Sequence, residues 1–290
     1  MNIGVVFPQT DIGNDPVAIR DYAQAVEAMG YTHILAYDHV LGANRERYRD
    51  LTGPYGHRDA FHEPFVLFGF LAATTRRVGL ATGIVILPQR QTALVAKQAA
   101  AADVLSGGRV RLGVAVGWNY VEYAALGQDF HTRGKRIEEQ VEVLRALWTK
   151  ELVTVEGRSD CIVDTGIHPL PVQRPIPIWM GGHSEIVMRR AAKLADGWIW
   201  SGNLRPGAEA QATVDQVRQL VAAGGRRPES FGIEGRVPLA RLVPEQWGAE
   251  IAEWRKMRGV THVCVDTMRL GLTKADQHVD TLRRFKEATL

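Results

Sequence analysis

Asp38 and His39 stand at the end of a short apolar run, His33 to Tyr37, that reads as a buried strand. An imidazole at a strand's C-terminal end is a natural acid, base or hydrogen-bond donor to a bound ring. Asp38 reads as the group that orients His39 or caps the turn. A buried histidine satisfied by a backbone carbonyl is the other reading of this position. Gly181-Gly182-His183-Ser184 lies between a strand and a helix start. There main-chain N–H groups and the helix N-terminus favour an anion such as phosphate, although a tight turn with a serine cap uses the same residues. Gly83, within Thr82-Gly83-Ile84, marks a bulge or a close backbone approach. Trp118-Asn119 has the residue types to wall a planar ligand and donate to it, while Trp118 serves equally as core filler.

Other chemistries are not supported. The nine histidines contain no HxH or HExxH spacing, so no metal set is expected. His57 and His62 lie in a polar loop, residues 42–63, together with Arg45, Arg47 and Arg49. That loop reads as a lid with a solvated basic face. Arg133, Lys135 and Arg136 crowd a helix start, where the dipole disfavours cations. Nucleophilic hydrolysis is disfavoured, because neither a GxSxG elbow nor a Ser-His-Asp arrangement occurs.

The elements that must position these groups are organised around Gly79 to Trp118. Leu80 to Leu87 reads as one continuous buried strand. Thr92 is expected to cap a helix with Leu94, Val95, Ala99, Ala102 and Leu105 on its apolar side, ended by left-handed Gly107 and Gly108. Val110 to Val116 is the next strand, so the unit is parallel with a right-handed crossover. Before it come a strand at Ile3 to Phe7, a helix between Asp15 and Gly30, and an apolar helix opened by Pro64. After it, Thr132 is expected to cap a helix with Ile137, Val141, Leu144 and Trp148 in register. Residues 152–176 read as an excursion, with Leu152 to Thr165 alternating as a hairpin does, followed by a Pro-rich connector. Strands at Ile178 to Gly182, Asp196 to Trp200, Phe231 to Val243 and Val260 to Val265 alternate with helices, one of them capped by Ser184. Eight strands alternating with helices, and no composition break, predict an α/β fold: a single (β/α)8 TIM barrel over residues 1–290. An open doubly wound sheet is the rival, but Pro8-Gln9-Thr10 stands where its glycine fingerprint belongs.

Composition agrees with an ordinary globular protein: 46% hydrophobic and 23% charged residues. A net charge of +3 with no basic run gives nucleic-acid binding no support. Two distant cysteines, Cys161 and Cys264, suggest a reducing cytoplasm. Neither a signal peptide nor a membrane span is expected.

The segments LATGIVILPQRQTALVAKQAAAADVLSGGRVRLGVAVGWNYVEYAALG, RGKRIEEQVEVLRALW and PIPIWMGGHSEIVMRRAAKLADGW resemble the bacterial luciferase-like family, and within it the branch using the deazaflavin coenzyme F420. The likeness runs from Ile3 to about Trp200. It implies a (β/α)8 barrel with the cofactor at the C-terminal strand ends and a non-prolyl cis peptide at Gly83–Ile84 behind its ring. It implies His39 as the catalytic residue beside the ring. The cofactor-binding set is then Asp38, Thr82, Gly83, Ile84, Val116, Gly117, Asn119, Met180, Gly181, Gly182, His183, Ser184 and Ile199. Sugar-phosphate dehydrogenases of that branch carry a glutamate where this chain has Trp118, so the acid of their relay is expected to be absent. The function expected is hydride transfer between F420 and a small organic substrate. A reduced-FMN monooxygenase and a non-catalytic flavin carrier are the alternatives, and a homodimer is expected from the resemblance.

Overall fold

The computed structural model describes residues 1–200 and 205–289. The chain runs β1 (Asn2–Val6), α1 (Pro16–Ala28), β2 (His33–Ala36), α2 (Pro64–Thr74), β3 (Gly79–Thr82), β4 (Val85–Ile86), α3 (Thr92–Ser106), β5 (Val110–Ala115), α4 (Tyr120–Ala125) and α5 (Arg133–Thr149). It continues through β6 (Val153–Glu156), β7 (Cys161–Thr165), β8 (Ile178–Gly182), α6 (Glu185–Leu194), β9 (Gly197–Trp200), α7 (Ala208–Ala223), β10 (Gly232–Pro238), α8 (Trp247–Lys256), β11 (His262–Asp266) and α9 (Ala275–Thr289). The main sheet is parallel, in the order β3-β2-β1-β11-β10-β9-β8-β5-β4, and the β3–β5 pairing closes it. With β3 and β4 counted as two halves of one broken strand, this is the expected eight-stranded (β/α)8 barrel. The excursion is an antiparallel β6–β7 hairpin. Its tip is held by Glu139 of α5, whose carboxylate accepts from the amides of Arg158, Ser159 and Asp160 at 2.8–3.0 Å.

Three expectations are corrected. The run Leu80 to Leu87 is not one strand: a cis peptide at Gly83–Ile84 divides it, and Leu87–Gln89 is a turn of 3-10 helix. Gly83 is required there because a Cβ would sit 2.0 Å from Leu35 Cδ2. None of Thr92, Thr132 and Ser184 makes a side-chain cap bond. Thr92 is the first helical residue, and its hydroxyl donates to Asp160 across the hairpin at 2.7 Å. Leu94 and Leu105 are 51% and 69% exposed rather than on the buried side of α3. Val95, Ala99 and Ala102 do face the core, and Gly107 and Gly108 end the helix at φ 71° and 84°.

Alternation along each strand makes two cores. Outward residues such as Val5, Ile34, Leu80 and Val114 pack against the helices with Trp148 and Phe285. Inward residues stack in layers. Near the base, His33 Nε2 and Glu234 Oε1 lie 2.6 Å apart, and Arg111 donates to Glu234 Oε2 at 2.7 Å. The middle is apolar: Val6, Leu35, Ala81 and Cys264. Two residues beyond Leu35 and Cys264, Tyr37 and Asp266 bring polarity back at the mouth, and on β10 Arg236 is the next inward residue after Glu234.

Candidate active site

β2 ends in the mouth, and the next residues, Asp38 and His39, leave the sheet. The His39 ring packs edge-on to Tyr55, Phe61 and Trp118, at centroid distances of 5.6, 5.0 and 5.5 Å. Its Nδ1 lies 3.0 Å from Glu122 Oε2. The other Glu122 oxygen accepts from the amides of Val40 and Leu41 at 2.6 and 3.0 Å. A carboxylate holding two amides is an acceptor, so the proton between the rings' nitrogen and Glu122 sits on Nδ1 and leaves Nε2 for chemistry. Burial alone would push the Glu122 carboxyl up; the hydrogen bond and charge of His39 and the two amides outweigh it and hold it below the usual range.

Position 118 carries no acid, and the carboxylate that meets His39 is that of Glu122. Reading the sequence missed it. The available signal was Asn119 followed three residues later by Glu122, a helix-start pattern. Asn119 does cap α4, accepting from the Glu122 amide at 3.2 Å. Its Nδ2 donates to the Leu41 carbonyl at 3.4 Å, so its side chain is spent on local backbone rather than on a ring.

Asp38 does not orient His39. Its carboxylate accepts from the Ile86 amide at 3.0 Å and from Arg90 at 2.8 Å. Burial pushes the Asp38 carboxyl up, and Arg90 and the Ile86 amide only partly offset this. Arg90 also reaches Glu63, the cap of α2, at 2.9 Å. Asp38 and Arg90 thus bind the end of β2 to β4 and to the end of the loop at residues 42–63.

A cavity of about 190 Å³ opens here, lined by Tyr37, Asp38, His39, Tyr55, Gly83, Ile84, Gly117, Trp118 and Arg236, among others. Of the predicted cofactor set it gathers Asp38, Gly83, Ile84 and Gly117 around His39. Thr82, Val116, Asn119, Met180, Gly181, Gly182, His183, Ser184 and Ile199 do not line it. Thr82 donates to the Gly113 carbonyl at 2.7 Å within the sheet. Val116 accepts from Tyr123 at 2.6 Å, and the Met180 side chain lies in the outer core. Ile199 Cδ1 faces Gly113 from across the barrel interior. Gly181 abuts the bulge, where an added Cβ would come within 2.8 Å of Ile84. The Gly182 carbonyl accepts from Trp198 Nε1 at 2.8 Å, and Ser184 begins α6.

The residues present fit a planar ring. Gly83 and Gly117, which carry no side chains, and Ile84, whose side chain abuts Gly181, line one side of the mouth, and His39 stands at its edge. Pro54 and Tyr55 of the loop at residues 42–63 also line this cavity. Arg133 and Arg136 are engaged with the carbonyls of Phe130 and Arg90, which accounts for two of the crowded cations.

Fold and mouth together define a parallel barrel protein whose candidate site is the cavity at the C-terminal strand ends. The sequence matches the luciferase-like monooxygenase family over residues 1–242, and the chain belongs to that family of oxidoreductases and monooxygenases. It is 38% identical over 248 residues to an uncharacterised protein of Mycobacterium tuberculosis, covering 84% of this chain and 82% of the relative. It is 31% identical over 238 residues to an FMNH(2)-dependent dimethylsulfone monooxygenase of Pseudomonas putida, covering 81% of this chain and 61% of that protein. A monooxygenase from Streptomyces bottropensis superposes with a TM-score of 0.81 at 20% identity, covering 99% of this chain and 98% of that one. An F420-dependent secondary alcohol dehydrogenase holding an F420–acetone adduct does so at 0.76 and 16% identity, covering 100% and 99%. These two likenesses bear on the fold alone. Among the described residues no helix is long and apolar enough to cross a membrane.

Proposed function

We propose that this chain is an oxidoreductase that moves a hydride between coenzyme F420 and a small organic substrate. The observation that carries the proposal is His39, held by Glu122, in one cavity with the Gly83–Ile84 bulge. When bound, the deazaflavin supplies the hydride chemistry. His39 Nε2 takes or gives the substrate proton, with Nδ1 fixed by Glu122. Tyr55, Phe61 and Trp118 shield that nitrogen from water and keep the exchange between His39 and substrate. The amides of Gly181 and Gly182, with His183 and Ser184 at the start of α6, are the groups to hold a phosphate tail. An F420-dependent dehydrogenase shares the fold, so a barrel of this kind can serve that cofactor. A second reading, a reduced-FMN monooxygenase, is favoured by the 31% identity to the Pseudomonas enzyme.

Fluorescence titration of the purified chain with F420 and FMN in parallel separates the two. F420 is expected to bind at least about tenfold more tightly, roughly 1.4 kcal/mol. Tighter FMN binding, with oxygen consumption when a flavin reductase is added, establishes the second reading instead.

A further inference from the structure

Among the described residues Arg236 is the arginine that lines the His39 cavity, and it stands apart from the other arginines set into the fold. Arg90 ends on Asp38 and Glu63 at 2.8 and 2.9 Å, and Arg111 ends on Glu234 at 2.7 Å. Arg109 spends its guanidinium on Thr75 and on the carbonyls of Ala72, Thr75, Val78 and Ser106. Arg236 makes no hydrogen bond and no ion pair within 4.0 Å among the described residues. Its guanidinium lies 5.0 Å from the centroid of the Tyr37 ring and lines the same cavity as His39. The nearby acid, Asp266, accepts from the Met268 amide at 2.9 Å and from Tyr37 at 3.5 Å, and its charge acts on Arg236 without a direct ion pair. A guanidinium stays charged at any physiological pH and offers a planar fork matched to a carboxylate. It is half-buried, with only the Tyr37 ring and the more distant Asp266 to balance its charge, so a bound anion would complete its hydrogen bonding.

The topology says which anion. In the sheet order, β10 is four strands from β3 in either direction, directly across the mouth from the Gly83–Ile84 bulge. A ring lying over that bulge turns its other face towards Arg236, which is where a substrate must approach. The same cavity is lined by the aromatic side chains of Tyr55 and Trp118. We propose that Arg236 is a specificity-determining residue that receives the carboxylate of a small, planar, acidic substrate. The proposal rests on the cofactor lying over the bulge, as in the proposed function. The same guanidinium chemistry would also serve an anionic edge of the cofactor itself, and the experiment separates the two.

The purified chain is titrated calorimetrically with benzoate and with benzamide, which share shape but not charge, each with and without F420. Benzoate is expected to bind at least tenfold more tightly than benzamide. R236Q is expected to abolish that preference, R236K to reduce it severalfold, and both to leave F420 affinity within about twofold. Equal binding of the two probes to the unaltered protein, or binding of neither, overturns the proposal without needing a variant. Loss of F420 affinity in R236Q with the benzoate preference retained overturns it in favour of a cofactor contact. If F420 fails to bind while benzoate is preferred and R236Q abolishes the preference, the carboxylate site stands and the cofactor assignment falls.

Discussion

Glu122 converts His39 from a rotatable ring into a fixed one, because one carboxylate grips both the ring and the backbone amides that follow it. Glu122→Gln keeps the shape and removes the charge. It is expected to lower turnover about ten- to a hundredfold through loss of ring positioning, with little change in cofactor affinity. It is also expected to cost about 2 kcal/mol of stability at neutral pH, the scale of a hydrogen bond to a charged group. The native Glu122 carboxyl titrates below its ordinary value, so its stabilisation is present above that value and is lost as pH falls through the depressed one. The gap in urea midpoint between wild type and variant therefore narrows on acidification; a gap independent of pH refutes the pairing. His39 stood out in the sequence by its place at the end of an apolar run, although a buried histidine satisfied by a backbone carbonyl is the commoner use of such a residue. Glu122 did not stand out, because its partner lies 83 residues away and a helix-start glutamate has an ordinary local explanation.

At the scale of elements, the divided third strand lines one side of the mouth. The apolar run Leu80 to Leu87 carries no local sign of the break beyond one glycine, and only the resemblance pointed to Gly83–Ile84. The physical reason lies outside the segment, in Leu35 of β2 pressing where a Cβ would stand. In Gly83→Ala the new methyl meets both the Cγ and Cδ2 atoms of Leu35, so a rotamer change of the tip does not relieve it. The expected cost is about 1–3 kcal/mol in thermal denaturation, together with weakened cofactor binding. Unchanged melting would mean that β2 yields and that the close approach is not enforced. Helix starts were legible for the same kind of reason that their caps were not. Proline and glycine punctuation is local, whereas the hydroxyl of Thr92 finds its partner on a hairpin 68 residues away.

The whole molecule was readable as a barrel from alternation alone, but the charged layer at its base was not. Strands buried on both faces hide their period, so nothing marked His33, Arg111 and Glu234 as converging. Burial would push Glu234 up, but Arg111 and His33 hold it down at about 2, while burial and Arg111 lower His262 to about 3. Both shifts act in the same direction. A histidine that resists protonation in the fold but not when unfolded withdraws stability as pH falls below its ordinary value near 6.5. Glu234 adds a second loss below the ordinary carboxylate range, continuing towards its folded value. Unfolding free energy should therefore be level above about pH 7 and decline in two stages on acidification. Glu234→Gln is expected to remove the lower stage and to cost about 3–5 kcal/mol at neutral pH, since Arg111 is left without its counter-charge. Urea unfolding from pH 3 to 8 reads both effects, and a single carboxylate-range transition shared by wild type and variant would rule the network out.

Between those two polar levels lies the apolar band of Val6, Leu35, Ala81 and Cys264. Val6, Leu35 and Ala81 act as a dielectric spacer between rim and base, while the Cys264 thiol reaches down to His33 Nε2 at 3.4 Å. The fold can therefore tolerate new chemistries written around His39 and Arg236 while its footing keeps one fixed ionisation state throughout.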